Sequence, residues 1–209
     1  MMQTPMFPLQ SAFLPGETLP LRVFEPRYGA LVQDCLATDD PAFGVVLIAR
    51  GREVGGGDER LDIGALAHIV TFADHGSGHY QLRCAVRERF RVTEWLPDDP
   101  YPRAAVELWP DEPGEVSAAD VGVVEDQIMA LMERIASARN APTPSREAVF
   151  GDLPHDPGSR MYALATVLPM NPADRYAVLA AASPAARLPA LREAVETVTA
   201  MVEFQLSGD

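Results

Sequence analysis

The chain of 209 residues contains no lysine, so all 17 of its basic residues are arginine. That absence removes lysine Schiff bases, Ser-Lys dyads and any lysine-bearing phosphate loop. Positive charge is scarce altogether: 17 basic against 30 acidic residues leave a net charge of −13. Such a balance disfavours DNA or an anionic membrane as the main partner, because both demand a basic footprint. Cysteine is limited to Cys35 and Cys84, too few for a disulfide framework, so a reducing compartment is expected. The amino-terminal stretch has no basic residue before Arg22, and Pro5, Pro8 and Pro15 interrupt its apolar runs. It reads as neither signal peptide nor membrane span, and a cytoplasmic protein is expected.

Apolar residues make up 47% of the chain, enough for one large domain or two modest lobes with a sizeable core. The most structured stretch is Leu19 to Tyr28. Leu19, Leu21 and Val23 alternate with Pro20 and Arg22, as in a strand buried on one face. Pro26 then suits the first position of a helix, with Glu25 as N-cap and its carboxylate near free N–H groups. Tyr28, Leu31, Val32, Cys35 and Leu36 form the apolar stripe of that helix, which Asp39-Asp40-Pro41 ends. Glu25 and Arg27 can serve as a surface ion pair that fixes the corner so that Phe24 packs.

Met6 to Leu9 reads as a first strand, expected to pair with the Leu19 strand across the Leu14-Pro15-Gly16-Glu17 turn. Phe43 to Ile48 is a continuous apolar run typical of a central strand. Ile63 to Phe72 and Tyr80 to Val86 are joined by Asp74-His75-Gly76-Ser77-Gly78, a hairpin turn. Arg89 to Leu96 and Arg103 to Trp109 extend the series, with a break expected near Arg87-Glu88. Strands at this spacing predict a closed or nearly closed antiparallel sheet. The composition shifts at Asp111-Glu112-Pro113-Gly114, which places the lobe boundary so that residues 1–112 form the first lobe and 113–209 the second. Beyond it, Ser117 caps a helix running to Arg139, a short helix is expected near Glu147 to Phe150, and three more cover Arg160 to Leu168, Pro172 to Ala182 after Asn171, and Pro184 to Phe204 after Ser183. Strands followed by helices make the chain α+β.

Few residues suggest chemistry. Gly51-Arg52-Glu53-Val54-Gly55-Gly56-Gly57-Asp58 outlines a phosphate loop, yet Asp58 stands near where lysine and serine or threonine belong, and a strand follows instead of a helix. His75 and His79 flank the hairpin turn without further ligands at metal spacing, so no metal or other cofactor is expected. Cys35 lies on a core stripe and Cys84 on the buried face of a strand. Arg83, Arg87, Arg89 and Arg91 share parity with Trp95, which gives an RNA-reading strip as one alternative and a solvated face paired with Glu88, Glu94 and Glu107 as the other.

The motifs Phe7-Pro8-Leu9 with Leu14-Pro15-Gly16, Leu19-Pro20-Leu21 leading to Phe24-Glu25-Pro26-Arg27-Tyr28, Phe43 to Ile48 with Gly51 and Glu53-Val54-Gly55-Gly56, and Arg89-Phe90-Arg91-Val92 with Trp95-Leu96 together resemble one family. It is the amino-terminal substrate-binding domain of Lon-type ATP-dependent proteases, in a stand-alone form. The resemblance covers nearly the whole chain and implies a PUA-like β-barrel lobe with one inserted helix, followed by an α-helical lobe. It implies no enzyme, since the sequence has neither a GxxxxGK[ST] motif nor a lysine for a Ser-Lys dyad. The implied role is binding of unfolded or tagged polypeptide, as an adaptor or chaperone-like protein in quality control, with a Lon-type protease as a possible partner. Phe24, Glu25, Arg27, Tyr28, Glu53 and Val54 are the expected rim of the polypeptide site. A PUA-like RNA-binding module using the strip from Arg83 to Arg91 is the alternative.

Overall fold

Burial that alternates along some strands and runs unbroken along others sets where each lies in the sheet. A computed structural model describes residues 2–51, 53 and 59–207, which fall into two units, residues 1–110 and 111–209. The first holds β1 (Met2–Leu9), β2 (Thr18–Val23), α1 (Pro26–Leu36), β3 (Ala42–Arg50), β4 (Glu59–Asp74), β5 (Tyr80–Leu96) and β6 (Arg103–Leu108). They form one sheet in the order β2-β5-β4-β3-β1-β6, and β5 also pairs with β6.

The sheet departs from the expected antiparallel barrel in two ways. First, β1 runs parallel to β3, with Met6 opposite Gly44 and Leu9 opposite Leu47. A parallel pair needs a long crossover, and the chain from β2 through α1 supplies it. Second, the circuit of pairings closes only because the long β5 serves different neighbours along its length, β2 through Tyr80–Ala85 and β6 through Phe90–Leu96. β2 stays outside that circuit as an open edge, so the sheet is mixed and is not a clean barrel. The expected pairing of β1 with β2 is absent. β1 sits between β3 and β6 because its residues from Met6 to Leu9 are buried in succession, the mark of a strand covered on both faces, whereas β2 alternates and needs cover on one face only.

The break expected at Arg87-Glu88 is a bulge. The β4–β5 register shifts between Ala65–Arg89 and Ala67–Val86, which leaves an extra residue in β5 while the strand continues. Inside the sheet, Met6, Val46, Leu66, Phe90, Val92, Ala104 and Val106 form a core cluster. The Phe90 ring needs the space above Gly64, where a Cβ would stand 2.5 Å from the ring and 2.3 Å from the Val45 carbonyl oxygen.

The second unit contains α2 (Ala118–Ala138), α3 (Arg146–Phe150), α4 (Pro157–Val167), α5 (Pro172–Ala180) and α6 (Pro184–Ser207). Side-chain oxygens of Ser117, Ser145, Asp156 and Asn171 each accept the capping N–H three residues on. The Ser183 hydroxyl accepts the Ala186 N–H at 3.2 Å in the same way. Asp156 and Pro157 start α4 earlier than Arg160, where the sequence placed it. The start of the unit is tied to α6. The Glu112 N–H donates to the Ala182 carbonyl, and the fully buried Arg187 donates to Asp111 Oδ1 at 2.5 Å and to the Gly158 carbonyl at 3.1 Å, its guanidinium 3.7 Å from the Tyr162 ring centroid.

Candidate polypeptide-binding corner

The step from β2 to α1 builds the corner. Val23 ends the strand with its side chain buried, the next residue turns outward, and Pro26 opens the helix. Glu25 has the extended backbone of an N-cap, and its carbonyl accepts the N–H groups of Tyr28 and Gly29 at 3.0 and 2.9 Å. Its carboxylate does not cap, contrary to expectation. The Arg27 Nε donates to it at 3.1 Å, and a charge-assisted bond to guanidinium outcompetes the backbone N–H groups.

Arg27 ties the corner to Glu53, just beyond the end of β3. A terminal nitrogen donates to the Glu53 carbonyl at 3.3 Å, the guanidinium carbon lies 4.5 Å from the Tyr28 ring centroid, and Glu53 Oε1 accepts the Gln10 N–H at 2.6 Å. Tyr28 is only 3% exposed and stacks on Phe7, centroids 4.0 Å apart. It is thus the floor of the corner and not its rim. Phe24, for which the sequence allowed either packing or a place on the rim, is 58% exposed beside this braced network. Glu25, Arg27, Tyr28 and Glu53 are therefore brought together with Phe24 next to them in the chain. Val54 and the Gly55–Gly57 run lie outside the described residues. The helix itself is pressed against the β4–β5 turn, since a Cβ on Gly29 would stand 2.6 Å from the Gly78 carbonyl oxygen.

The arginine strip does not survive as a single row. Arg83, Arg87 and Arg91 are exposed, but the bulge turns Arg89 inward. Arg89 and Arg91 both stack on Trp109, at 4.5 and 4.3 Å from its ring centroid. Trp95 stands apart, donating its indole N–H to Asp62 Oδ1 at 3.0 Å beneath Arg60. His79 contacts the Gly76 carbonyl within the turn, and among the described residues no cluster of three or more His, Cys, Asp or Glu side chains could hold a metal ion. Burial pushes the thiols of Cys35 and Cys84 up to about 12, with Asp34 and then Cys84 adding to the effect at Cys35. Neither is a ready nucleophile.

Two charged arrangements escaped the sequence reading. His68, buried in β4, has its ring nitrogens 3.0 Å from Asp40 and 3.1 Å from Glu88, so Glu88 serves the histidine and not an arginine neighbour. In the helical unit, the buried Glu125 accepts from Arg146 and Arg160, each at 2.5 Å, at the wall of a cavity of about 650 Å³ that Phe150 and His155 also line. Partners 20 to 35 residues apart leave no local spacing to read. None of the helices among the described residues is long and apolar enough to cross a membrane.

Comparison with known proteins bears on this geometry. The family model for the ATP-dependent protease La (LON) substrate-binding domain matches residues 3–197. Lon protease 2 of Myxococcus xanthus is 32% identical over 142 residues, and Lon protease of Anaeromyxobacter dehalogenans is 30% identical over the same length. Each match takes in 64% of this chain but 17% of the relative, so the chain spans a small part of their length. Among solved structures, a Lon N-terminal domain protein from Xanthomonas campestris is similar at 29% identity and a TM-score of 0.65, covering 92% of this chain and 98% of that one. The N-terminal domain of Mycobacterium avium complex Lon protease shares the fold at 15% identity and a TM-score of 0.60, covering 93% and 98%.

Proposed function

Since the chain belongs to the family of LON substrate-binding domains, we propose that it is a non-catalytic polypeptide-binding module whose contact surface centres on the β2–α1 corner. The observation that carries this reading is Phe24. A large aromatic ring left mostly in water, on a backbone held by Pro26 and beside the Glu25–Arg27–Glu53 network, supplies apolar contact area that needs little ordering before it binds. Unfolded or tagged polypeptides expose the apolar side chains such an anchor takes, and a module of this kind acts as an adaptor or chaperone-like partner of a Lon-type protease. The two buried, protonated thiols suit a reducing, cytoplasmic setting.

The test is binding of a reduced, permanently unfolded model protein to the purified chain, compared with Phe24→Ser. Loss of an exposed aromatic anchor is expected to weaken binding about fivefold or more while the thermal transition stays in place, because Phe24 buries little in the folded chain. Absence of binding at high micromolar concentration, without and with a Lon ATPase present, overturns the reading.

A further inference from the structure

The exposed positions of β2 fall in line with those of its neighbours. Thr18, Pro20 and Arg22 face Ala85, Arg83 and Gln81 of β5, and these in turn face His68, Thr71 and Ala73 of β4. Cross-strand partners share a face, so the three strands present one outer surface. Thr18, Pro20, Thr71, Ala73, Gln81 and Arg83 line a shallow concavity there of about 600 Å³. Pro20 fits because β2 is an edge strand, where a missing N–H need not cost a ladder bond.

The charge of this surface opposes that of the chain. Arg22, Arg83 and Arg87 are all exposed, and among the described residues none of them makes an ion pair. By contrast Arg27, Arg60, Arg134, Arg146, Arg160 and Arg187 each hold a carboxylate. The acids nearest in the sheet have other partners: Glu17 accepts the Leu14 N–H at 2.6 Å, Asp74 the Gly76 N–H at 2.8 Å, and Glu88 and Asp40 meet His68 at one end of the face. Arg22 faces Gln81, and Arg87 lies six residues further along β5, so the arginines span roughly 20 Å of strand.

We infer that this face takes an extended acidic segment of polypeptide, laid over β2, β5 and β4 with its carboxylates on Arg22, Arg83 and Arg87. The inference rests on the polypeptide-binding reading above and names the substrate class. Guanidinium forks match carboxylates in planar, bidentate geometry. A short acidic segment within about 8 Å, the Debye length at physiological salt, feels the local arginines more than the distant net charge. A long phosphate chain running beyond the patch would meet the acidic remainder of the surface.

Fluorescence anisotropy with four labelled ligands decides the matter: an unstructured Glu/Ser peptide, its Gln/Ser counterpart, a neutral unfolded polypeptide and an oligouridylate RNA. The full chain is compared with Arg83→Gln and with the double variant Arg22→Gln, Arg87→Gln, whose exposed sites leave folding intact by circular dichroism. The acidic peptide is expected to bind about tenfold tighter than its Gln counterpart, to weaken severalfold between 50 and 200 mM salt, and to lose about fivefold for each arginine removed. Equal binding of the two peptides, or no change in the variants, overturns the inference. The broader reading stands in that case provided the neutral unfolded polypeptide still binds. Absence of all peptide and polypeptide binding fells both, and arginine-dependent binding of RNA alone replaces the acidic peptide with a nucleic acid.

Discussion

Replacing Arg187 with alanine should destabilise the helical unit selectively and severely. The guanidinium is wholly buried, donates to Asp111 and to the Gly158 carbonyl, and lies on the Tyr162 ring. Breaking a buried ion pair by removing one partner costs about 3–5 kcal/mol. Asp111 is itself a third exposed, so water can reach its carboxylate and the lower half of that range applies to its loss of a partner. The cavity and the desolvated cation–π contact, worth about 2 kcal/mol, push the total back up to ~4 kcal/mol. With a urea slope of about 1–2 kcal/mol/M for a unit of this size, the midpoint should fall by roughly 2 M or more. Two signals separate the units. Trp95 and Trp109, the only tryptophans, both lie in residues 1–110, whereas the helical ellipticity arises mainly from the second unit. The expected outcome is a lowered transition by circular dichroism at 222 nm, with Asp111→Ala comparably costly because it strands a wholly buried guanidinium, and strongly non-additive with Arg187→Ala in the double-mutant cycle. A loss under about 1 kcal/mol, or two costs that simply add, would refute the claim that this pair anchors the unit.

Two further outcomes follow from the first unit. Cys35 and Cys84 should resist a thiol-disulfide reagent at pH 8 until denaturant is added, since folded pKa values near 12 leave almost no thiolate; stoichiometric reaction in the folded chain contradicts this. Because those values lie above the unfolded thiol range, their contribution to stability is complete below about pH 9 and is lost as pH rises toward 12. Gly64→Ala should cost about 2 kcal/mol or more, because its methyl would meet both the Val45 carbonyl and the Phe90 ring inside contact distance; an unchanged thermal midpoint shows that the core can yield there.

Local chemistry made much of this chain legible. Pro26 and the stripe from Tyr28 to Leu36 gave α1, and Ser117, Asn171 and Ser183 marked three helix starts. Even the irregularity near Arg87-Glu88 was readable, although it proved to be a bulge. What sequence could not supply was pairing between distant residues. The parallel match of β1 to β3 depends on a whole crossover, and Arg187 finds Asp111 at a separation of 76 residues. At the corner, the signals competed: Glu25 is a fair cap by type, yet Arg27 two residues on takes its carboxylate.

The placement of β1 has a consequence for the chain as it is made. Met2 to Pro5 pair with Arg103 to Val106, so one flank of β1 stays unsealed until about a hundred further residues have emerged from the ribosome. At 5–20 residues per second that is roughly 5–20 s, during which a strand destined for burial on both faces has only β3 for company. The bond that completes the sheet is therefore set by the pace of synthesis, and nascent chains stalled before β6 are the ones most exposed to mispairing.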